Sequence, residues 1–117
     1  MNIEELRDYC IAKNAVTEEL PFGPDTLVFK VASKVFLLVG LDQLEGLSFN
    51  VKCDPEYAIS LRQEFLQTVF PGYHMNKKHW NTVYANRELT DQKLLELIDH
   101  SYDLVFASLP KKIKENL

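Results

Sequence analysis

The sequence predicts an α+β domain in which a layer of helices packs on an antiparallel sheet. Segments with helical periodicity occur near both ends and in the middle of the chain, and segments with strand composition lie between them. The predicted order is helix, three strands, helix, one or two strands and a long helix, with short connections, which is typical of a two-layer α/β sandwich. The 117 residues fit one domain, residues 1–117.

The first predicted helix lies in "NIEELRDYCIAK". Asn2 is a suitable N-cap, and Glu5 completes a capping-box pattern three residues later. Leu6 and Cys10 fall on one face at helical spacing. The cluster "LPFGPD" then interrupts regular structure, because proline and glycine favour turns and loops.

Three strands follow this cluster. Residues 26–31 and 34–40 are rich in Val, Leu and Phe, and Ala32–Ser33 forms the turn between them. These two residues are poor choices for a tight hairpin, since positive φ favours Gly or Asn. "LSFNVKC" alternates strictly between apolar and polar residues, which predicts a strand with one buried and one partly wet face.

The second half of the chain contains two clearly signalled helices. "DPEYAISLRQEFL" begins with Asp54 as N-cap and Pro55 at the first helical position. "HWNTVYA" has strand composition. "TDQKLLELIDHSYDLVFASL" is a long helix that ends before Pro110, and it is predicted to be central to the core. Its predicted buried stripe is Leu94, Ile98, Tyr102, Val105 and Leu109.

Composition excludes several classes of protein. The chain is 46% hydrophobic and 26% charged, the balance of a soluble globular protein. It shows neither a secretory signal nor an apolar run of the roughly 20 residues that a membrane span needs. Cys10 and Cys53 match no zinc pattern and are predicted to be inert thiols in the core, which suits the reducing cytoplasm. We therefore expect a cytoplasmic protein with no membrane partner.

The segment "PGYHMNKKHWNTV", residues 71–83, is the most unusual part of the chain. The protein has a net charge of −4, yet this segment has two lysines and no acidic residue, and a second basic island lies in "PKKIKENL". Lys77, Lys78 and His79 could contact phosphates, and Trp80 could stack on a base. The structural alternative is a polar turn in which Trp80 is largely buried and supports the segment, and this is the role we predict for Trp80.

Catalysis and metal binding are less well supported by the sequence. His74 and His79 lack the further ligands that zinc requires, because residues 71–86 contain no Cys, Asp or Glu. Asp99, His100 and Ser101 are neighbours on a helix, so their side chains point about 100° apart and cannot form a triad. No glycine-rich phosphate loop is present. We therefore predict no enzyme activity, no catalytic residue, no metal and no cofactor.

Four stretches carry a family resemblance along essentially the whole chain: "PFG..TLVFKV", "VKCDPE", "PGYHMNKKHWNTV" and "LIDHSYDLV..SLPKK". On these, the chain resembles the MmcQ/YjbR family of small bacterial proteins. The resemblance implies an α-β(3)-α-β(2)-α two-layer fold with an antiparallel sheet, similar to type III secretion chaperones, and members are commonly labelled DNA-binding. Lys78 stands where the family often has Arg, which keeps the charge but loses bidentate phosphate geometry.

Two functions remain open at this stage. The first is a non-enzymatic nucleic-acid-binding domain that acts through residues 71–83, with double-stranded DNA, bound with weak sequence selectivity, as its partner. The alternative is a chaperone-like or regulatory module that binds a protein partner and has no affinity for nucleic acid. The candidate nucleic-acid-binding residues are His74, Asn76, Lys77, Lys78, His79, Asn81, Lys111 and Lys112.

Overall fold

The computed structural model describes residues 1–73 and 75–117. Six strands and four helices are present in this described part of the chain. In chain order they are α1 (Ile3–Ile11), β1 (Val16–Glu19), β2 (Thr26–Val31), β3 (Lys34–Gly40), β4 (Ser48–Lys52), α2 (Pro55–Glu64), β5 (Val69–Pro71), β6 (Trp80–Tyr84), α3 (Asp91–Ser108) and α4 (Lys111–Glu115).

All six strands belong to one antiparallel sheet with the order β1-β2-β3-β4-β6-β5. The predicted α+β class is confirmed, and β2 and β3 have the predicted bounds. The element count differs, because four strands precede α2 and a short helix follows α3. Strand β1 reads "VTEE" and carries no apolar alternation. It is an edge strand whose Glu18 and Glu19 are neutralised by Arg7 and Lys30, a pattern that protects an edge from pairing with another chain.

The core lies on one face of the sheet, beneath α1, α2 and α3. Alternate residues of the central strands, such as Phe29, Leu37 and Phe49, share one buried cluster with apolar residues from these three helices. The predicted stripe of α3 is buried at Leu94, Ile98, Val105 and Leu109. Tyr102 is the exception: it is half-buried, and its hydroxyl donates to the Asn14 carbonyl at the surface.

The opposite face of strands β4, β6 and β5 contributes no residue to this cluster, and its side chains are half-buried. Strand register places facing residues of the three strands on this surface, which we call the open face. Its members are Ser48, Asn50, Lys52, Phe70, Trp80, Thr82 and Tyr84.

Ser101 fastens α3 to the sheet. Its side chain is fully buried, and its hydroxyl donates to the Phe36 carbonyl at 2.6 Å and accepts from the Lys52 amide at 2.9 Å. Phe36 lies at a β-bulge that shifts the β2–β3 register, and both Phe36 and Leu37 are consequently buried. One hydroxyl therefore fixes the helix against two strands.

The Ala32–Ser33 turn generates a stability prediction. Both residues have positive φ, 44° and 73°, a conformation that costs a side-chain-bearing residue about 1–2 kcal/mol. We expect the double variant Ala32→Asn, Ser33→Gly to raise the free energy of unfolding by about 1 kcal/mol, because Asn-Gly suits such a turn. Urea unfolding measures the change.

A glycine control shows whether the gain belongs to the turn. Ser60 is exposed in α2, where glycine should lower stability by about 0.5–1 kcal/mol. A turn variant that is less stable than the natural protein would contradict the assigned turn geometry.

Candidate nucleic-acid interface

The Arg62 guanidinium holds the segment that precedes β6. Its Nε donates to Asn81 Oδ1 at 2.6 Å, and a second nitrogen donates to the carbonyls of Lys77 and, at 3.3 Å, Trp80. Arg62 lies in the last turn of α2, whose first turn is fixed by the Asp54 cap. Three acceptors from residues 77–81 are therefore tied to one helix.

Asn81 is a support for this segment and is not available at the surface. It is only 1% exposed, and its amide nitrogen donates to the Ala58 carbonyl while its oxygen accepts from Arg62. The alternation of β6 places it on the face covered by helices, with Val83. Its predicted direct contact with nucleic acid is therefore corrected to a buried structural role.

Asn76 organises the turn that carries the lysines. Its side-chain oxygen accepts from the Lys78 amide at 2.9 Å, and its carbonyl accepts from the amides of His79 and Trp80. These are the bonds of an asparagine that shapes a turn. Asn76 itself is exposed, so its side chain lies at the surface beside the lysines.

Lys77 and Lys78 are both exposed, and the described part of the chain provides neither with an ion-pair partner. His79 is half-buried, and its carbonyl accepts from the Cys53 amide at 2.7 Å. His74, the remaining candidate in this segment, lies outside the described residues. The backbone is thus held from within while two ammonium groups face solvent.

The sheet register brings further basic residues to the same end of the domain. The end of β4, the start of β6 and the β2–β3 turn lie together, and α3 passes this end because Ser101 bonds the Lys52 amide. We call this the basic end. Its lysines include Lys34, Lys52, Lys77 and Lys78. Helix α4, which carries Lys111 and Lys112, follows the C-terminal end of α3.

Of the two lysines predicted in the second island, Lys111 lies 3.9 Å from Glu115 and Lys112 has no ion pair among the described residues. Both are exposed. An exposed pair of this kind is weak, so Lys111 remains able to exchange partners with an anion.

The opposite end of the sheet is acidic. It contains the loops that enter β2, connect β3 to β4 and precede α3. Arg87 is a basic exception within it. We call this the acidic end, and its carboxylates include Asp25, Asp42, Glu45, Glu88 and Asp91.

Trp80 supports the segment as predicted, but it lies outside the core. It is half-buried, faces Lys52 across the β4–β6 pair and lies outside the core cluster. Its backbone does support the segment, since its carbonyl accepts from the amide of Gly72 at 2.8 Å. The alternation of β6 explains why Trp80 lies outside the core, because Asn81 and Val83 occupy the side that the helices cover.

Both thiols are buried, as predicted, with Cys10 0% and Cys53 3% exposed. Burial raises the pKa of Cys10 to about 12 and that of Cys53 to about 11, so both remain protonated at neutral pH and are poor nucleophiles.

Residues 1–73 and 75–117 contain no group of three or more His, Cys, Asp and Glu side chains placed to hold a metal. Within those ranges, no helix is long and apolar enough to cross a membrane.

Asp99, His100 and Ser101 face three different partners. Asp99 accepts from the Tyr9 hydroxyl and Lys13, while His100 Nε2 accepts from the Asp54 amide at 3.1 Å. Ser101 bonds the two strands described above. The expectation that these neighbours do not form a triad is confirmed by their geometry.

Two residues of the interface were not identified from the sequence. Arg62 sits beside Leu61 on an otherwise surface-like helix, and Lys52 is one of the alternating polar residues of β4. A basic residue next to an apolar stripe is a weak signal, because such residues usually extend into solvent. Only the tertiary arrangement reveals that Arg62 reaches the 77–81 segment.

Known proteins are similar to this chain in sequence. A family model described as YjbR matches residues 11–104, a range that includes Arg62 and the 71–83 segment. The uncharacterized protein YbdF of Escherichia coli O157:H7 is 43% identical over 93 residues, covering 79% of this chain and 74% of YbdF. The uncharacterized protein YjbR of Escherichia coli strain K12 is 33% identical over 118 residues, covering 100% of this chain and 98% of YjbR.

A solved structure extends the similarity to the whole fold. The crystal structure of Deinococcus radiodurans protein DR2400, with the family-model domain DUF419, has a TM-score of 0.92 and 35% sequence identity. The match covers 98% of this chain and 86% of that chain. These descriptions assign no activity, so the chemistry of the interface must be argued from its residues.

The Arg62 contacts generate a prediction. Arg62→Met leaves Asn81 Oδ1 buried without a donor and removes bonds to two carbonyls, so we expect a loss of unfolding free energy on the order of 3 kcal/mol. Amides of residues 77–81 should also exchange with solvent faster. Chemical denaturation and hydrogen exchange measure the two effects.

Arg7→Met is the matched control, since Arg7 pairs with Glu18 at the surface and such a pair contributes little. Equal losses in the two variants would contradict the special role of Arg62.

Gly72 generates a second prediction about this segment. A Cβ at Gly72 would lie 2.8 Å from Trp80 Cβ and 3.0 Å from the Trp80 carbonyl oxygen, so Gly72→Ala must displace β6 backbone. We expect a destabilisation of about 1–3 kcal/mol. At Gly40 the nearest atom would lie 3.4 Å away in the flexible Gln43 side chain, and Gly40→Ala should be nearly neutral. A Gly72→Ala melting temperature equal to that of Gly40→Ala would show that the contact is not tight.

Proposed function

This chain belongs to the YjbR family, and from that premise we propose that it is a non-enzymatic nucleic-acid-binding domain that binds DNA at its basic end. Lys77 and Lys78 contact phosphates, His79 and Asn76 complete the surface, and Lys111 and Lys112 extend it. Arg62 and Asn81 support the segment from within. The observation that carries the proposal is the pair of exposed lysines on a segment held by Arg62.

Preorganisation favours binding by this segment. Ordering a loop on association costs free energy that reduces affinity, and Arg62 together with Asn76 already fixes the backbone at residues 76–81. The lysine side chains alone remain to be ordered. Because lysine is a point charge and lacks the planar fork of arginine, we expect contacts with little geometric specificity.

Charge segregation also supports the proposal. The carboxylates of the acidic end lie at the opposite end of the sheet from Lys52, Lys77 and Lys78, and Asp54 is an exposed acid on the lysine side. This charge distribution orients an approaching polyanion toward the basic end. The protein can therefore bind nucleic acid in spite of its net charge of −4.

The cytoplasm suits this role. Both thiols are buried and reduced, a state that reducing compartments maintain, and cellular nucleic acid is present there.

A protein-binding function is the second candidate, favoured by apolar side chains at the acidic end. Phe22 is 72% and Leu44 is 100% exposed. A cavity of about 350 Å³ lies nearby, between the start of α1 and the β3–β4 loop, and is lined by Ile3, Leu41 and Leu47 among others. Exposed apolar groups beside a concavity are typical of interaction sites. This surface is distant from the lysines, so substitutions at one end separate the two functions.

A salt titration tests the nucleic-acid proposal. With about three to five phosphates neutralised, the logarithm of duplex affinity should fall with the logarithm of salt concentration at a slope of roughly −3 to −4.5. Lys77→Ala with Lys78→Ala should reduce the magnitude of that slope by up to about 2 and leave the fold intact. Fluorescence anisotropy of a labelled duplex, and of one of its strands, measures both.

Two controls accompany this experiment. Lys77→Arg with Lys78→Arg keeps the charges and should retain the slope. Lys93→Ala removes a lysine that bonds Tyr57 in the helical layer, so binding should change little. Lys34 is not suitable as a further control for the Lys77–Lys78 variant, because it follows the β2–β3 turn and therefore also lies at the basic end. Failure of both labelled forms to bind at tens of micromolar protein and about 50 mM salt, where phosphate contacts are strongest, would contradict the proposal.

A further inference from the structure

Three aromatic side chains lie on the β5–β6 part of the open face, and Tyr73 is an exposed aromatic residue whose backbone adjoins them. Trp80 and Tyr84 stand at the two ends of β6, and Phe70 on β5 faces the middle of β6. Tyr73 follows β5, is 72% exposed, and its amide donates to Thr82 Oγ1 on the same face. From Trp80 to Tyr84 the strand spans about 13 Å.

The polar groups among these rings are arranged as a small ladder. Thr82 Oγ1 donates to Asn50 Oδ1 at 2.6 Å across the strand pair, and Lys52 faces Trp80. Strands β4, β5 and β6 contain no acidic residue. Within these three strands, the neighbours of the aromatic row are therefore all neutral or basic.

Cationic groups stand at both ends of the row. Lys77 and Lys78 precede Trp80. At the other end the Arg87 guanidinium lies 3.8 Å from the centre of the Tyr84 ring. The neighbouring Glu88 carboxylate accepts from the Gln67 amide and the Thr68 hydroxyl, which holds it against the β5 side and leaves its negative charge in place.

We infer that the preferred ligand of this surface is single-stranded nucleic acid, whose bases stack on the aromatic row while its phosphates follow the lysines and Arg87. The inference rests on the function proposed above and names the form of nucleic acid. Duplex bases are already stacked on one another, whereas single strands expose base faces that aromatic side chains bind with little sequence preference. An open sheet of this kind stacks two or three bases, which fits the length of β6.

The fluorescence of Trp80 reports this contact directly, because it is the one tryptophan of the chain. Titration with a twelve-nucleotide thymidine strand should quench the emission, and the same strand annealed to its complement should quench it much less. At matched salt we expect single-strand affinity to exceed duplex affinity by at least about fivefold, the contribution of one stacked base.

Substitutions separate stacking from charge. Tyr73→Leu should weaken single-strand binding by at least about fivefold and change duplex binding by less than twofold. Tyr73 is largely exposed, so this variant is expected to fold normally. Phe22→Leu is the matched control: Phe22 is equally exposed but lies in the loop before β2 at the acidic end, and the variant should bind like the natural protein. Trp80→Leu, followed with a labelled strand, should show a loss at least as large as that of Tyr73→Leu.

A uridine strand and a 2′-deoxyuridine strand of the same length distinguish the two natural sources of the ligand, because these two strands differ only in the sugar. Equal binding of both strands supports single-stranded nucleic acid in general, and a preference for one identifies the sugar. Three results would overturn the inference. Equal affinity for duplex and single strand, with Trp80 unquenched, leaves the proposed function standing but removes the stacking role. An equal loss of single-strand affinity in Tyr73→Leu and Phe22→Leu also removes the stacking role and leaves the proposed function standing. Absence of binding to every nucleic acid removes both proposals and favours the protein-binding function at the acidic end.

Discussion

The hydrogen bonds of the Arg62 guanidinium are the interaction on which the candidate interface depends. A partly buried charge is stable only when its donors are satisfied, and here the acceptors are Asn81 Oδ1 and the carbonyls of Lys77 and Trp80. The position of α2 therefore dictates the shape of the lysine-bearing segment. That position is itself fixed at the other end of the helix, where Asp54 caps α2 and its amide bonds His100.

This chain of contacts gives a physical reason for the motifs that carry the family resemblance. "VKCDPE" contains the cap of α2, "LIDHSYDLV" supplies His100 and Ser101, and "PGYHMNKKHWNTV" supplies the acceptors for Arg62. His100 joins "LIDHSYDLV" to "VKCDPE". Arg62, in the last turn of the helix that "VKCDPE" begins, joins that helix to "PGYHMNKKHWNTV". A polar cluster such as "DHSY" resembles catalytic residues in sequence, but each of its first three side chains connects α3 to a different part of the fold.

Most of the fold could be predicted because the periodicity of apolar residues identifies helices and strands whose apolar and polar positions alternate clearly. Strands β2–β4 and helices α1–α3 follow from it. Strand β1 could not, since "VTEE" has no alternation and is held by pairing with β2, and α4 follows a proline that reads as a stop. The site was less predictable. Whether Asn81 or Trp80 faces the helices depends on the parity of β6, and both sides of that strand mix polar and apolar residues.

Net charge alone would argue against a nucleic-acid ligand, but distance decides which charges matter. Salt screens exposed charges beyond about 8 Å at physiological ionic strength. The strands that separate the two ends of the domain span about 13 to 20 Å, and the domain measures 41 × 32 × 26 Å. Carboxylates at the acidic end are therefore screened from a phosphate beside Lys77, whereas Lys78 and Lys52 are not. At about 10 mM salt the screening length grows to roughly 30 Å, so the acidic end then opposes binding and the gain in affinity expected on dilution should level off.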